Sequence, residues 1–101
     1  MNEESALDIV CSCLTNDNSI PQELREHKGL DIVRFEHLVS AIEFLVEYYQ
    51  DKNMVPKRLS LCFVDIYASF SFREGIYDEY QTNKIEDAGI QLQDLAYSLF
   101  C

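Results

Sequence analysis

The residues able to do chemistry are few, and their spacing does not favour it. Four cysteines occur, Cys11, Cys13, Cys62 and Cys101, with two histidines, His27 and His37. On a helix, Cys11 and Cys13 stand roughly 200° apart around the axis, so they do not converge on one ion. Neither histidine lies at ligand-type spacing from a cysteine. Small core-filling thiols are the simpler reading. Nucleophilic catalysis by a Cys–His pair needs a pocket, which a tightly packed small domain rarely offers. His37 follows Glu36 on a long helical segment and reads as a boundary residue. Gly29, Gly75 and Gly89 are isolated, so no phosphate-cradling loop is present. Carboxylates are everywhere, but no histidine or other base singles out a pair for acid–base work. The reading is therefore a binding protein, not an enzyme, with no catalytic, cofactor or metal residues.

Charge is the abnormal feature. Eighteen Asp and Glu against eight Lys and Arg give −10, beyond the roughly 2–8 charges that solubility of a small domain asks for. Residues 1–20 hold Glu3, Glu4, Asp8 and Asp17 and no base; residues 74–101 hold Glu74, Asp78, Glu79, Glu86, Asp87 and Asp94 against Lys84 alone. The middle of the chain is nearly balanced. Direct nucleic-acid binding and docking on an anionic membrane are disfavoured by this sign. Lys57, Arg58 and Arg73 flank one segment but form no basic stripe. A solvated surface is the bland reading of the acids. The sharper one is a docking surface for a basic protein, since complementary charge speeds encounter and selects the partner. Glu74, Tyr77, Asp78, Glu79 and Tyr80, with Glu86, Asp87 and Asp94, have the chemistry for it: tyrosine rings anchor interfaces, and carboxylates accept bidentate arginine. The competing reading of Tyr77 and Tyr80 is that they cover the end of the core.

The elements that position these residues read as helices. The first runs from about Glu3 to Leu14, with Leu7, Val10 and Leu14 on one face. Ser19 caps a short second helix that reaches His27 or Lys28, with Pro21 in its first turn and Gly29 as its left-handed stop. Asp31 caps a long third helix to about Asp51; Phe35, Leu38, Val39, Ile42, Leu45, Val46 and Tyr49 keep the 3–4 spacing of a buried face. Ala41, Phe44 and Tyr48 widen that face, so this helix is expected to sit centrally. A fourth helix spans about Pro56 to Arg73 through Leu59, Cys62, Phe63, Ile66 and Phe70, although Ile66–Phe72 also alternates like a strand. Ile76–Gln81 reads as a linker or a single turn. Asn83, with Glu86 three residues on, opens a fifth helix to about Phe100. Small Ala88 and Gly89 would let a neighbour approach closely. The expected fold is all-α: one domain over residues 1–101, a compact antiparallel bundle of four main helices plus one short helix. In such a bundle the two acidic end segments can be neighbours, merging into one negative face.

Met1–Ser5 has neither the basic start nor the apolar run of an export signal, and Leu59–Phe72 is too short and polar to span a bilayer. A cytoplasmic location with free thiols is expected. In size, acidity and the segment Tyr77-Asp78-Glu79-Tyr80, the chain resembles bacterial toxin immunity proteins. These are the small acidic inhibitors encoded beside colicin-type or contact-dependent growth-inhibition nucleases. The resemblance implies tight one-to-one binding to a basic toxin domain and no catalytic residue. Phage-encoded inhibitors of host nucleases share the profile. A regulatory or adaptor bundle, possible as a homodimer through Leu59–Phe72, is the alternative of a different class.

Overall fold

The computed structural model describes residues 1–72 and 75–101, with only the backbone of Tyr67. The described residues are mostly helical and contain no strand. Asn2 opens α1 (Glu3–Thr15) with a reciprocal cap: its side chain accepts from the Ser5 amide at 2.8 Å, and Ser5 Oγ accepts from the Asn2 amide at 3.0 Å. Ser19 caps α2 (Ile20–Arg25) through the Gln22 amide at 3.2 Å. This helix stops earlier than its sequence suggests. His27 takes the left-handed position at φ 62°, while the Lys28 amide bonds back to the Glu23 carbonyl at 3.0 Å. Gly29, at φ 80°, follows as a second left-handed residue and not as the stop itself.

Asp31 caps α3 (Ile32–Tyr49) by accepting from the Arg34 amide at 3.1 Å. Its fully enclosed face is Phe35, Leu38, Ala41, Ile42, Leu45 and Tyr49; Val39, Phe44 and Val46 are half-buried, and Tyr48 is exposed. The buried stripe is thus narrower than its sequence implied. Arg34 ties three elements together. Its guanidinium donates to the carbonyls of Ser12 (3.2 Å) and Asn18, and pairs with Glu23 at 3.2 Å. Orphan carbonyls at the end of α1 are satisfied this way.

The expected single helix from Pro56 to Arg73 is two: α4 (Lys57–Cys62) and α5 (Ile66–Ser69). Between them the amides of Phe63, Val64 and Ile66 bond three residues back instead of four. That tightening suits a run of aromatic and β-branched residues with modest helix propensity. The inward residues are still Leu59, Cys62, Phe63, Ile66 and Phe70. Arg73 lies outside the described residues. The last helix, α6 (Glu79–Phe100), begins four residues before the expected Asn83. Asp78 caps it by accepting from the Gln81 amide at 2.8 Å, and Glu79 complements the positive end of the helix dipole.

Side-chain contacts give the directions. Glu3 meets Tyr49, and Ser12 meets Arg34, so α1 and α3 run in opposite senses. Asp8 meets Arg58, and Cys11 meets Cys62, so α1 and α4 run the same way. Phe63 stacks edge-on with Phe100, and Phe70 lies against Gly89, so residues 63–70 run back along α6. The starts of α3 and α6 are joined where the Gly29 amide donates to Tyr77 Oη at 3.3 Å. Helix α3 therefore packs on α1 and α6, α4 on α1, and α5 on α6. One continuous apolar core fills the space between them. Its fully buried leucines, Leu24, Leu38, Leu45, Leu59 and Leu92, each contribute about 1.5–3 kcal/mol.

Candidate functional site

Helix α6 sorts the predicted surface residues by its period. Ile85, Ala88, Leu92 and Leu99 point into the core. Glu79, Glu86, Asp87 and Asp94 fall on the opposite side, within roughly 100° of arc and over about 22 Å of helix. All four are exposed. None is in an ion pair among the described residues. Three large side chains share that outward side: Tyr80, Ile90 and Tyr97, at 68%, 56% and 63% exposure. Lys84 lies over the Tyr80 ring at 5.0 Å and braces it. Asp78 is exposed but already occupied as the helix cap.

Tyr77 departs from the expected docking role. Its ring is half-buried, edge-on to Phe72 at 5.8 Å and tilted against His27 at 6.1 Å. Its hydroxyl donates to the Leu24 carbonyl at 2.6 Å and accepts from the Gly29 amide. Both polar functions are spent inside the fold, joining the α2–α3 corner to the start of α6. Glu74 lies outside the described residues.

The acidic ends of the chain do not merge. Helices α1 and α6 each pack on α3 and do not run along one another. The α1 acids are also partly engaged. Glu3 accepts from the hydroxyls of Tyr49 and Tyr48, and Asp8 pairs with Arg58 at 3.2 Å. The tyrosine contact has a titration consequence: burial first, then the Glu3 carboxylate, pushes the Tyr49 hydroxyl well above its ordinary value. Of the two acidic ends, the larger group of exposed carboxylates lies on the outside of α6.

Beside it runs a groove of about 520 Å³ between residues 60–66 and the C-terminal half of α6, lined by Phe63, Val64, Ile66, Ala96, Tyr97 and Phe100. Val64, which lines it, is 69% exposed. The groove is apolar, and the nearest carboxylate along α6 is Asp94, next to its lining residue Gln93. Sequence reading missed Ile90 and Tyr97 as surface residues. Their seven-residue spacing, out of phase with Ile85, Ala88 and Leu92, is the signal that places them outward.

His27 and His37 are exposed, and no cluster of three metal-ligating side chains exists among the described residues. Burial raises the Cys13 thiol above its ordinary value, against the partial relief of nearby Arg34. Burial and the neighbouring Cys11 push the Cys62 thiol up to about 12. Both directions favour the neutral thiol, the opposite of an activated nucleophile. Comparison of the chain with protein-family models, curated proteins and solved structures gives no match.

Proposed function

We propose that this chain is a small acidic binding protein that neutralises a basic bacterial toxin domain of nuclease type in a one-to-one complex, using the outward face of α6. The observation that carries this reading is the juxtaposition on one helix face of Glu79, Glu86, Asp87 and Asp94, without an ion pair among the described residues, with exposed Tyr80, Ile90 and Tyr97. The carboxylates supply long-range attraction and accept arginine or lysine. The rings and Ile90 supply the apolar anchor that charge alone lacks. A nuclease domain carries its cations where it holds nucleic acid, so a carboxylate-bearing helix seated there excludes the substrate without any chemistry of its own. The scaffold that goes with this reading is an antiparallel bundle of four main helices plus short α2, with α4 and α5 as one bent leg. A cytoplasmic location belongs to the same proposal.

The test is the triple substitution E86K/D87K/D94K, measured against the purified product of the neighbouring reading frame. All three side chains are exposed, so helicity and melting temperature are expected to hold. Association should slow by about tenfold or more at low salt, with the difference shrinking as salt rises. An unchanged association rate for a folded variant would remove α6 from the interface. The apolar groove beside α6 favours a second reading, a homodimeric adaptor. Light scattering across protein concentrations separates the two, because the inhibitor is expected to stay monomeric when free.

A further inference from the structure

The sulfurs of Cys11 and Cys62 stand 3.3 Å apart, although 51 residues separate them in the chain. Cys11 is half-buried on α1 and Cys62 is buried on α4. The contact is held from both sides. The Cys62 thiol is within hydrogen-bond reach of the Arg58 carbonyl at 3.1 Å, and Arg58 pairs with Asp8 one turn earlier on α1. A disulfide bond is about 2.05 Å long, so the two sulfurs need to close only about 1.3 Å. No other sulfur–sulfur contact of this kind occurs among the described residues. Cys13 is buried in the field of Arg34 of α3, and Cys101 follows the end of α6.

We propose that Cys11 and Cys62 form a redox modification site, a dithiol that low-molecular-weight disulfides of the glutathione class convert to an intramolecular cystine joining α1 to α4. Access sets the order of events. The Cys11 thiolate, on the more exposed side, attacks one sulfur of the oxidised tripeptide. A mixed disulfide forms, and the first tripeptide leaves as a thiolate that takes up a proton. The Cys62 thiolate, its proton given to solvent, then attacks the Cys11 sulfur and expels the second tripeptide as a thiolate that takes up a proton in turn. Two protein thiols are oxidised and one small disulfide is reduced to two thiols. Burial and the Cys11 contact hold the proton on Cys62 before the first step. Capping Cys11 removes its ionisable thiol from beside Cys62 but leaves its sulfur there to be attacked.

The experiment uses the full chain, reduced and then exposed to oxidised glutathione under native conditions, with peptide mapping by mass spectrometry. Apart from a glutathionyl group on exposed Cys101, wild type is expected to lose the mass of two hydrogens and to give a linked pair of peptides containing Cys11 and Cys62. Cys62→Ser should stall with one glutathionyl group on Cys11. Cys11→Ser should leave Cys62 unmodified while the exposed Cys101 reacts. Links from Cys11 to Cys13 or Cys101, or a wild-type chain that keeps both thiols free while Cys101 is modified, would overturn the proposal. So would glutathionylation of Cys62 in Cys11→Ser as fast as that of Cys11 in Cys62→Ser. The wild-type map does not depend on how either variant folds, and far-UV circular dichroism verifies the variants.

Discussion

Replacing Tyr77 by Phe removes one oxygen and separates two accounts of that residue. In the fold, the hydroxyl donates to Leu24 O at 2.6 Å and accepts from Gly29 N at 3.3 Å. The Leu24 carbonyl keeps a second partner, the His27 amide at 3.2 Å, so its loss is partial. The Gly29 amide has no other partner among the described residues and sits half-buried. Leaving a buried donor unpaired costs about 1–3 kcal/mol, and partial access to water places this site in the lower half of that range. For a domain of this size each kcal/mol moves the melting temperature by about 4–8 °C, so a fall on the order of 5–15 °C is expected. Urea titration followed by circular dichroism should show a lower midpoint with an unchanged slope. Hydrogen exchange at the Gly29 amide should speed up by more than at amides in α1. A variant that melts with wild type would refute the reasoning, and would return Tyr77 to the list of residues free to grip a partner.

Gly89→Ala sets two effects against each other. The new methyl would stand 2.8 Å from Phe70 Cβ, an atom with little freedom to move. Helix propensity returns about 1 kcal/mol, whereas overpacking costs about 1–3, so a net loss of roughly 1 kcal/mol is expected in thermal melts; a gain would mean that residues 63–72 yield easily. His27→Gly should do the reverse, because an L-residue at φ 62° is strained by about 1–2 kcal/mol. After the lost ring contact with Tyr77, a stabilisation of about 0.5–1 kcal/mol should remain, and a lower urea midpoint would argue against this account. Alkaline pH should weaken the fold through Tyr49 and Cys62, both raised above their ordinary values of 10.0 and 9.0. The folded state holds these protons more tightly than the unfolded one. Their contribution is complete below pH 9 and declines as pH rises past each unfolded value. Tyr49→Phe and Cys62→Ser should each flatten the fall of stability above pH 9, whatever they do at neutral pH; equal slopes for all three proteins would count against the assignment.

What was legible along the chain is what depends on neighbours within about four residues. Ser19 and Asp31 declare themselves as caps because a short polar side chain and an open amide three residues on are both local facts. Leu59, Cys62, Phe63, Ile66 and Phe70 are inward because their 3–4 spacing survives even where the backbone tightens between α4 and α5. Local signals also competed. Asp78 and Asn83 are both able caps, and the Gln81 side chain beside Gly29, with the Thr82 hydroxyl bonded to the Tyr77 carbonyl, goes with the earlier start. His27 took the left-handed position that Gly29 seemed made for, because the return bond from Lys28 to Glu23 fixes the end of α2 there.

The sequence by itself determined an acidic, helical chain with most of its excess carboxylates near the two ends, and it determined which side of α6 must be wet. Tertiary structure decided which helix lies beside which. It set α3 between α1 and α6, so the acidic ends do not join; it turned Tyr77 inward to Leu24; and it brought Cys11 to Cys62. These contacts link residues about 50 positions apart. Helical periodicity fixes only the direction a side chain leaves its own axis, while the identity of what it meets is set by how whole faces fit around a shared core.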